Sequence, residues 1–148
     1  MQKIDKILFP IDFAEKFETF LPWVSTFVEK FGATLYVLFV AQDLSEFATF
    51  YVPHGSIQGF QEEALAAANK KMAAVAKELH KFPKLETRVA VGAAGDKILE
   101  LVKNEGIDLI IMGSHGRKGL ERAIFGSVAD KIVQGAPCPV VTIRPKKA

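Results

Sequence analysis

Cysteine is nearly missing from this chain: Cys138 is the only one in 148 residues. One thiol excludes an intrachain disulfide and is consistent with a reducing compartment, so a cytoplasmic location is expected. Flanked by Pro137 and Pro139, Cys138 reads as a small apolar residue entering the last strand. A reactive thiol would need an adjacent base or a metal-ligand spacing, and the sequence supplies neither. Long apolar runs are lacking as well. The longest, such as residues 35–41 and 109–112, fall far short of the roughly 20 residues that span a bilayer, and no membrane partner is expected. The opening Met1-Gln2-Lys3-Ile4-Asp5-Lys6 carries an early acid and is unlike a signal peptide. Excess charge is absent too: a net charge of +2 is too small for a nucleic-acid binder, whose basic residues would form a strongly charged stripe. His54, His80 and His115 are scattered without metal-ligand spacing. No internal repeat, low-complexity tract or linker interrupts the chain.

What is present is the composition of an ordinary folded domain, with 49% apolar and 24% charged residues. A chain of this length buries roughly two thirds of the surface it exposes when unfolded, so residues 1–148 are expected to form one domain with its own core.

Residues 4–11, with Ile7-Leu8-Phe9, read as a first strand that Pro10 interrupts near its end. Phe17, Phe20, Leu21, Val24, Phe27, Val28 and Phe31 then recur at the spacing of one helix face, and Gly32 suits the C-terminal cap. Pro22 predicts a kink or a late start for that helix. Residues 34–40 are nearly all apolar or β-branched, as in a parallel strand covered on both faces. Residues 42–59, with Pro53, Gly55, Gly59 and several aromatics, read as a long irregular connection that either packs on the domain or a partner subunit or covers a ligand. The longest helix is predicted over 60–82, followed by an edge strand over 84–91 that puts Leu85, Thr87, Val89 and Val91 on one face and Glu86 and Arg88 on the other. A short helix over 96–104, an apolar strand over 108–112, a helix over 126–134 and a last strand over 139–143 complete the chain. Five strands alternating with helices predict a doubly wound, mostly parallel α/β sheet with helices on both faces. Such sheets bind ligands beyond the carboxyl ends of their strands, where the strand order reverses.

Between the strand at 108–112 and the helix at 126–134 lies a basic loop punctuated by glycines, a combination suited to binding phosphate. Exposed backbone N–H groups, glycines that permit close approach and a helix N-terminus near Ser127 all favour an anion. The Walker A pattern fails here, because the position five residues after Gly113 is Lys118 rather than glycine. The dinucleotide fingerprint fails too, since Ile11-Asp12-Phe13-Ala14 contains no glycine. The pattern found is Gly113-x2-Gly116-x9-Gly126-Ser127, which arises by chance in under about one per cent of chains this long. The glycines could instead serve a tight turn and helix packing. His115, Arg117, Lys118 and Arg122 could be a solvated face or phosphate neighbours, Asp12 could cap the first helix, and Ser127 is a natural N-cap.

At these residues, from Phe9-Pro10-Ile11-Asp12 through 108–127 to Ala136-Pro137-Cys138-Pro139-Val140-Val141, the chain resembles the universal stress protein family, in its ATP-binding branch. The resemblance implies a five-stranded sheet of order 3-2-1-4-5 and a homodimer formed through the last strand, around Val140, Val141 and Ile143. It also implies an adenine nucleotide, ATP or else AMP or ADP, at the ends of the first and fourth strands. Carried over by position, Pro10 and Asp12 face the nucleoside, Val40 lines the adenine through its backbone, and Met112 packs near the sugar. Gly113 and Gly116 give access to the phosphates, with Ser114, His115 and Arg117 between and beside them, while Gly126 and Ser127 contact phosphate at the helix start, a segment that Val128 completes. Mg²⁺ would accompany a triphosphate, held mainly by phosphate oxygens and water, because no carboxylate cage is visible. Phe13-Ala14 departs from the family, whose members often carry Ser shortly after that Asp. A regulatory stress-response protein is the leading expectation. Slow ATP hydrolysis or phosphotransfer through Asp12, His115 and Arg117, or a dimeric interaction module independent of nucleotide, are the alternatives.

Overall fold

Strand β1 (Lys6–Pro10) lies at the centre of the molecule and is apolar on both faces because helices cover it on both. A computed structural model describes residues 1–13, 16–45, 52–114 and 126–144 of the chain. After β1 come α1 (Leu21–Phe31), β2 (Thr34–Ala41), α2 (His54–Glu78), β3 (Leu85–Val91), α3 (Ala94–Glu105), β4 (Leu109–Gly113), α4 (Ser127–Gly135) and β5 (Val140–Ile143). All pairings are parallel and the order is β3-β2-β1-β4-β5, as expected. None of the helices described is long and apolar enough to cross a membrane.

The period-two alternation of the strands divides the core into two layers. Ile7, Phe9, Leu35, Val37, Leu109 and Ile111 point to the side covered by α1 and α2, where they meet Val24, Val28, Met72 and Val75. Leu8, Tyr36, Leu38, Ile110 and Met112 point to the other side, against Ile98 and Val102 of α3 and Ala129 and Ile132 of α4.

Pro22 resolves as a late helix start. Residues Phe17–Thr19 form a separate 3-10 turn, and Pro22 sits in the first turn of α1, where its missing N–H has no partner to lose. Gly32 ends α1 in the left-handed region at φ 61°, its N–H donating to the Val28 carbonyl. Asp12 caps neither element, since their N-cap positions are Lys16 and Phe20.

The expected irregular connection over 42–59 is corrected: α2 begins at His54, directly after Pro53, six residues before the predicted start. Gly55 and Gly59 read as breakers in sequence, yet a Cβ at either would meet nothing within 4 Å, and burial of Ile57 anchors the first turn. The helix also stops at Glu78, although Leu79 and Phe82 beyond it remain buried. In α4 the N-cap is Gly126, at φ −69° and ψ 164°, and Ser127 is the first helical residue, so the cap expected of Ser127 falls one position earlier.

β3 occupies the sheet edge as expected, but its polar face is closed by charge pairs. Arg88 lies over the Tyr36 ring, with its guanidinium 3.0 Å from Glu86 and 3.8 Å from Glu105 of α3. These pairs are half exposed, so they orient the edge and discourage strand addition more than they stabilise the fold.

Phe9 is 1% exposed and meets Phe20 edge-on at 6.2 Å. Truncation to Ala is expected to cost about 3–5 kcal/mol, measured as a lower urea midpoint at unchanged slope; a loss under about 1 kcal/mol would show that the α1 layer repacks around the void.

Candidate functional site

The parallel ladder opens at the carboxyl ends of β1 and β4. Alternate peptide groups of a strand face opposite neighbours. In β1 the Lys6 carbonyl accepts from Asp108 on the β4 side, while the Ile11 N–H donates to Leu38 on the β2 side. Pro10 therefore falls on the β4 side and offers it no N–H. Pairing between β1 and β4 ends at Leu8↔Ile110, whereas β1 stays paired with β2 through Pro10↔Leu38. In β4 the Ile110 and Ser114 N–H groups both donate to β5 or its lead-in, at Pro139 and Ile143. The Gly113 peptide between them turns toward β1, and so toward the gap.

A cavity of about 440 Å³ fills this gap and extends over β2. Among the sequence-predicted residues, Pro10, Asp12, Val40, Met112, Gly113 and Val128 line it. Ser114 is buried behind the rim; its N–H donates to Ile143 at 3.0 Å and its carbonyl accepts from Gly126 at 2.8 Å. That last bond closes the glycine-containing loop at its base and sets Gly126 and Ser127 at the pocket end of α4. Gly113 is in strand conformation and Gly126 has negative φ, so neither glycine is required by a left-handed backbone. His115, Gly116 and Arg117 lie outside the described residues, as do Lys118 and Arg122.

Among the described residues the walls are mostly apolar, and the electrostatics come from the Asp12 carboxylate and from helix ends. Val128 and Ala129 belong to the first turn of α4 and Ala94 opens α3, and all three line the cavity. Two helix N-termini with unsatisfied N–H groups therefore converge there, which favours an anion. The acid in the first turn of α3, Asp96, is neutralised by an ion pair with Lys131 of α4. Among the described residues no three His, Cys, Asp or Glu side chains converge to hold a metal ion.

Sequence reading missed the side of the cavity built by small and peripheral residues: Gln42 and Leu44 after β2, Ala64 of α2, Ala94 and Ile98 of α3. Ala64 and Ala94 contribute by being small, and no periodic pattern marks that. Phe13, part of the Phe13-Ala14 departure from the family pattern, stacks on Phe39 at 4.1 Å, and Lys71 of α2 lies 5.6 Å over its ring. Phe39 itself lines the cavity, so the aromatic at position 13 backs its wall.

Residues 3–144 match the universal stress protein family. The chain belongs to that family. Universal stress protein MJ0577 of Methanocaldococcus jannaschii is 29% identical over 97% of this chain and 96% of its own length. Universal stress protein MJ0531 of the same organism is 32% identical over 96% and 84%. The solved structure of MJ0577 superposes with a TM-score of 0.84 at 27% identity, covering 99% of this chain and all of that one. The fold is also shared with a universal stress protein solved in complex with cAMP, at TM-score 0.61 and 16% identity, covering 98% of this chain and 100% of that one. A universal stress protein from Archaeoglobus fulgidus in complex with dAMP superposes at TM-score 0.60 and 19% identity, covering 95% of this chain and 98% of that one.

Cys138, two residues before β5, is half-buried. Burial, and secondarily the charge of Asp108, pushes its thiol pKa up. Its thiolate fraction at pH 8 is thus expected to be smaller than that of free cysteine, and its alkylation by iodoacetamide slower, with the rise in rate moved to higher pH. Asp108→Asn should move that profile down only partly, because burial is the larger cause; an unshifted wild-type profile would count against this environment.

Proposed function

We propose that the protein binds an adenine nucleotide, ATP foremost with AMP and ADP as alternatives, and acts in the cytoplasm as a homodimeric regulatory module of the stress response. The observation that carries this reading is the cavity at the β1–β4 opening, lined by apolar residues of β2 and β4 and by Gly113 and the first turns of α3 and α4. The apolar lining suits a base, and the helix N-termini suit phosphates. The related folds solved with cAMP and dAMP support the same ligand class.

In this reading Asp12, Pro10, Val40 and Met112 surround the nucleoside. Gly113, Ser114, His115, Gly116 and Arg117, together with Gly126, Ser127 and Val128, embrace the phosphates. A magnesium ion would arrive on the triphosphate, coordinated chiefly by phosphate oxygens and water, with Asp12 the one carboxylate at the cavity among the described residues. The domain binds and reports a nucleotide, and hydrolysis is not needed for that role.

The dimer is assigned to the free side of β5. Because Pro139 and Ile143 carbonyls face β4, the peptide groups of Val140 and Thr142 face outward. Val140 and Val141 are half-buried and Ile143 is buried in the core, so the edge backbone offers the pairing surface.

Calorimetry and mass spectrometry of the purified protein test the ligand. Saturable adenine-nucleotide binding below about 1 mM is expected, weakened about ten-fold or more by Gly116→Val; no binding at millimolar concentration would overturn the reading. For the dimer, Thr142→Pro removes only an outward N–H and should yield folded monomers in sedimentation. A dimer unchanged by it would place the contact elsewhere.

A further inference from the structure

The chain leaving β2 is fastened to α2 by a single side chain. The Oε1 of Gln61 accepts from the Leu44 N–H at 2.6 Å, and its Nε2 donates to the Gln42 carbonyl at 3.1 Å. One primary amide thus satisfies a donor and an acceptor two residues apart, in the only orientation of that amide that makes both bonds. Among the described residues, no backbone–backbone hydrogen bond joins 42–44 to another element. A further hydrogen bond of the segment is local, from the Ser45 N–H to the Asp43 carboxylate at 2.9 Å. Gln42 and Leu44 both line the cavity, and so does Ala64, one turn along the same face of α2 as Gln61.

We propose that Gln61 is a positioning residue, which latches residues 42–44 to α2 and so holds that wall of the cavity in its ligand-accepting shape. The other walls need no such device. β1, β2 and β4 are fixed by the sheet, and α3 and α4 by the buried cluster beneath them. The 42–44 wall has left the sheet, and among the described residues two bonds from one side chain join it to α2. Releasing them lets Leu44 move, and a ligand must then bear the cost of ordering the wall as it binds. This inference rests on the nucleotide-binding reading for its ligand, but the latch itself has a ligand-free signature.

Two variants separate the bonds from the packing. Gln61→Met keeps the shape and helix propensity but forms neither bond. Gln61→Glu keeps the acceptor for Leu44 and, when ionised, places a second acceptor against the Gln42 carbonyl; when protonated, it donates there and restores both bonds. Hydrogen exchange on the free protein should show the Leu44 amide protected in the wild type and fast in Gln61→Met. Calorimetry with ATP should show Gln61→Met binding about ten-fold more weakly than the wild type. Measured relative to Gln61→Met at each pH, so that ionisation of ATP cancels, the affinity of Gln61→Glu should rise several-fold between pH 8 and pH 5. A residue that only stabilised the fold would give no such rise.

An unprotected Leu44 amide in the wild type overturns the latch whatever the ligand. Equal ATP affinity of wild type and Gln61→Met, or a flat Gln61→Glu ratio, overturns its role in positioning the wall. Protection at Leu44 with no ATP binding by the wild type instead overturns the nucleotide reading, and with it the proposed service of the latch to that ligand.

Discussion

The constraint on which the site depends is the loss of pairing between β1 and β4 while both strands continue. A parallel sheet normally keeps its central strands bonded on both sides, and here Pro10 denies β4 an N–H at the level where the gap begins. β2 keeps β1 anchored beyond that point through the Ile11 N–H, and β5 keeps β4 anchored through Ser114. Each of the two strands is therefore held rigidly from outside while the space between them stays open. Because the order reverses at this pair, the connections from β1 and β4 depart to opposite faces, and nothing in the sheet fills the opening.

Among the described residues, the polar groups around the opening are supplied by backbone more than by side chains. The Ser114–Gly126 bond brings the end of β4 to the start of α4, and α3 starts beside it. Helix-terminal N–H groups carry partial positive charge without the desolvation cost of burying a Lys or Arg. That explains how a chain with a net charge of only +2 can present an anion-attracting pocket.

Much of this was legible in the sequence because it follows from patterns that repeat. The apolar runs at β1, β2 and β4 are what burial on both faces demands, and the edge position of β3 shows in the alternation of Glu86 and Arg88 with apolar neighbours. Of the residues named for the site, Pro10, Asp12, Val40, Met112, Gly113 and Val128 line one cavity. What escaped are features with no period. Gly55 and Gly59 carry the same letters whether they break a helix or ride on its open face, and only the surrounding space distinguishes them. The Gln61 bonds span 17 and 19 residues, and a side chain reaching a distant backbone leaves no local trace. Ala64 and Ala94 matter through missing bulk, which composition cannot assign to a place.

Of the Phe13-Ala14 pair at which the chain departs from the family pattern, only Phe13 falls among the described residues. In the fold its ring packs on Phe39, whose other neighbours include the cavity, and the Lys71 ammonium covers it from α2. Phe13 thus gives apolar support on the same side of the cavity that Gln61 fastens. Both residues tie the region around β2 to α2, Phe13 through the Lys71 ammonium over its ring and Gln61 by hydrogen bonds. The consequence is a pocket with two kinds of lining: apolar surface along β2 and α2, and the first turns of α3 and α4. Contacts with the first scale with buried area and are insensitive to salt, while electrostatic attraction to the second weakens as ionic strength rises.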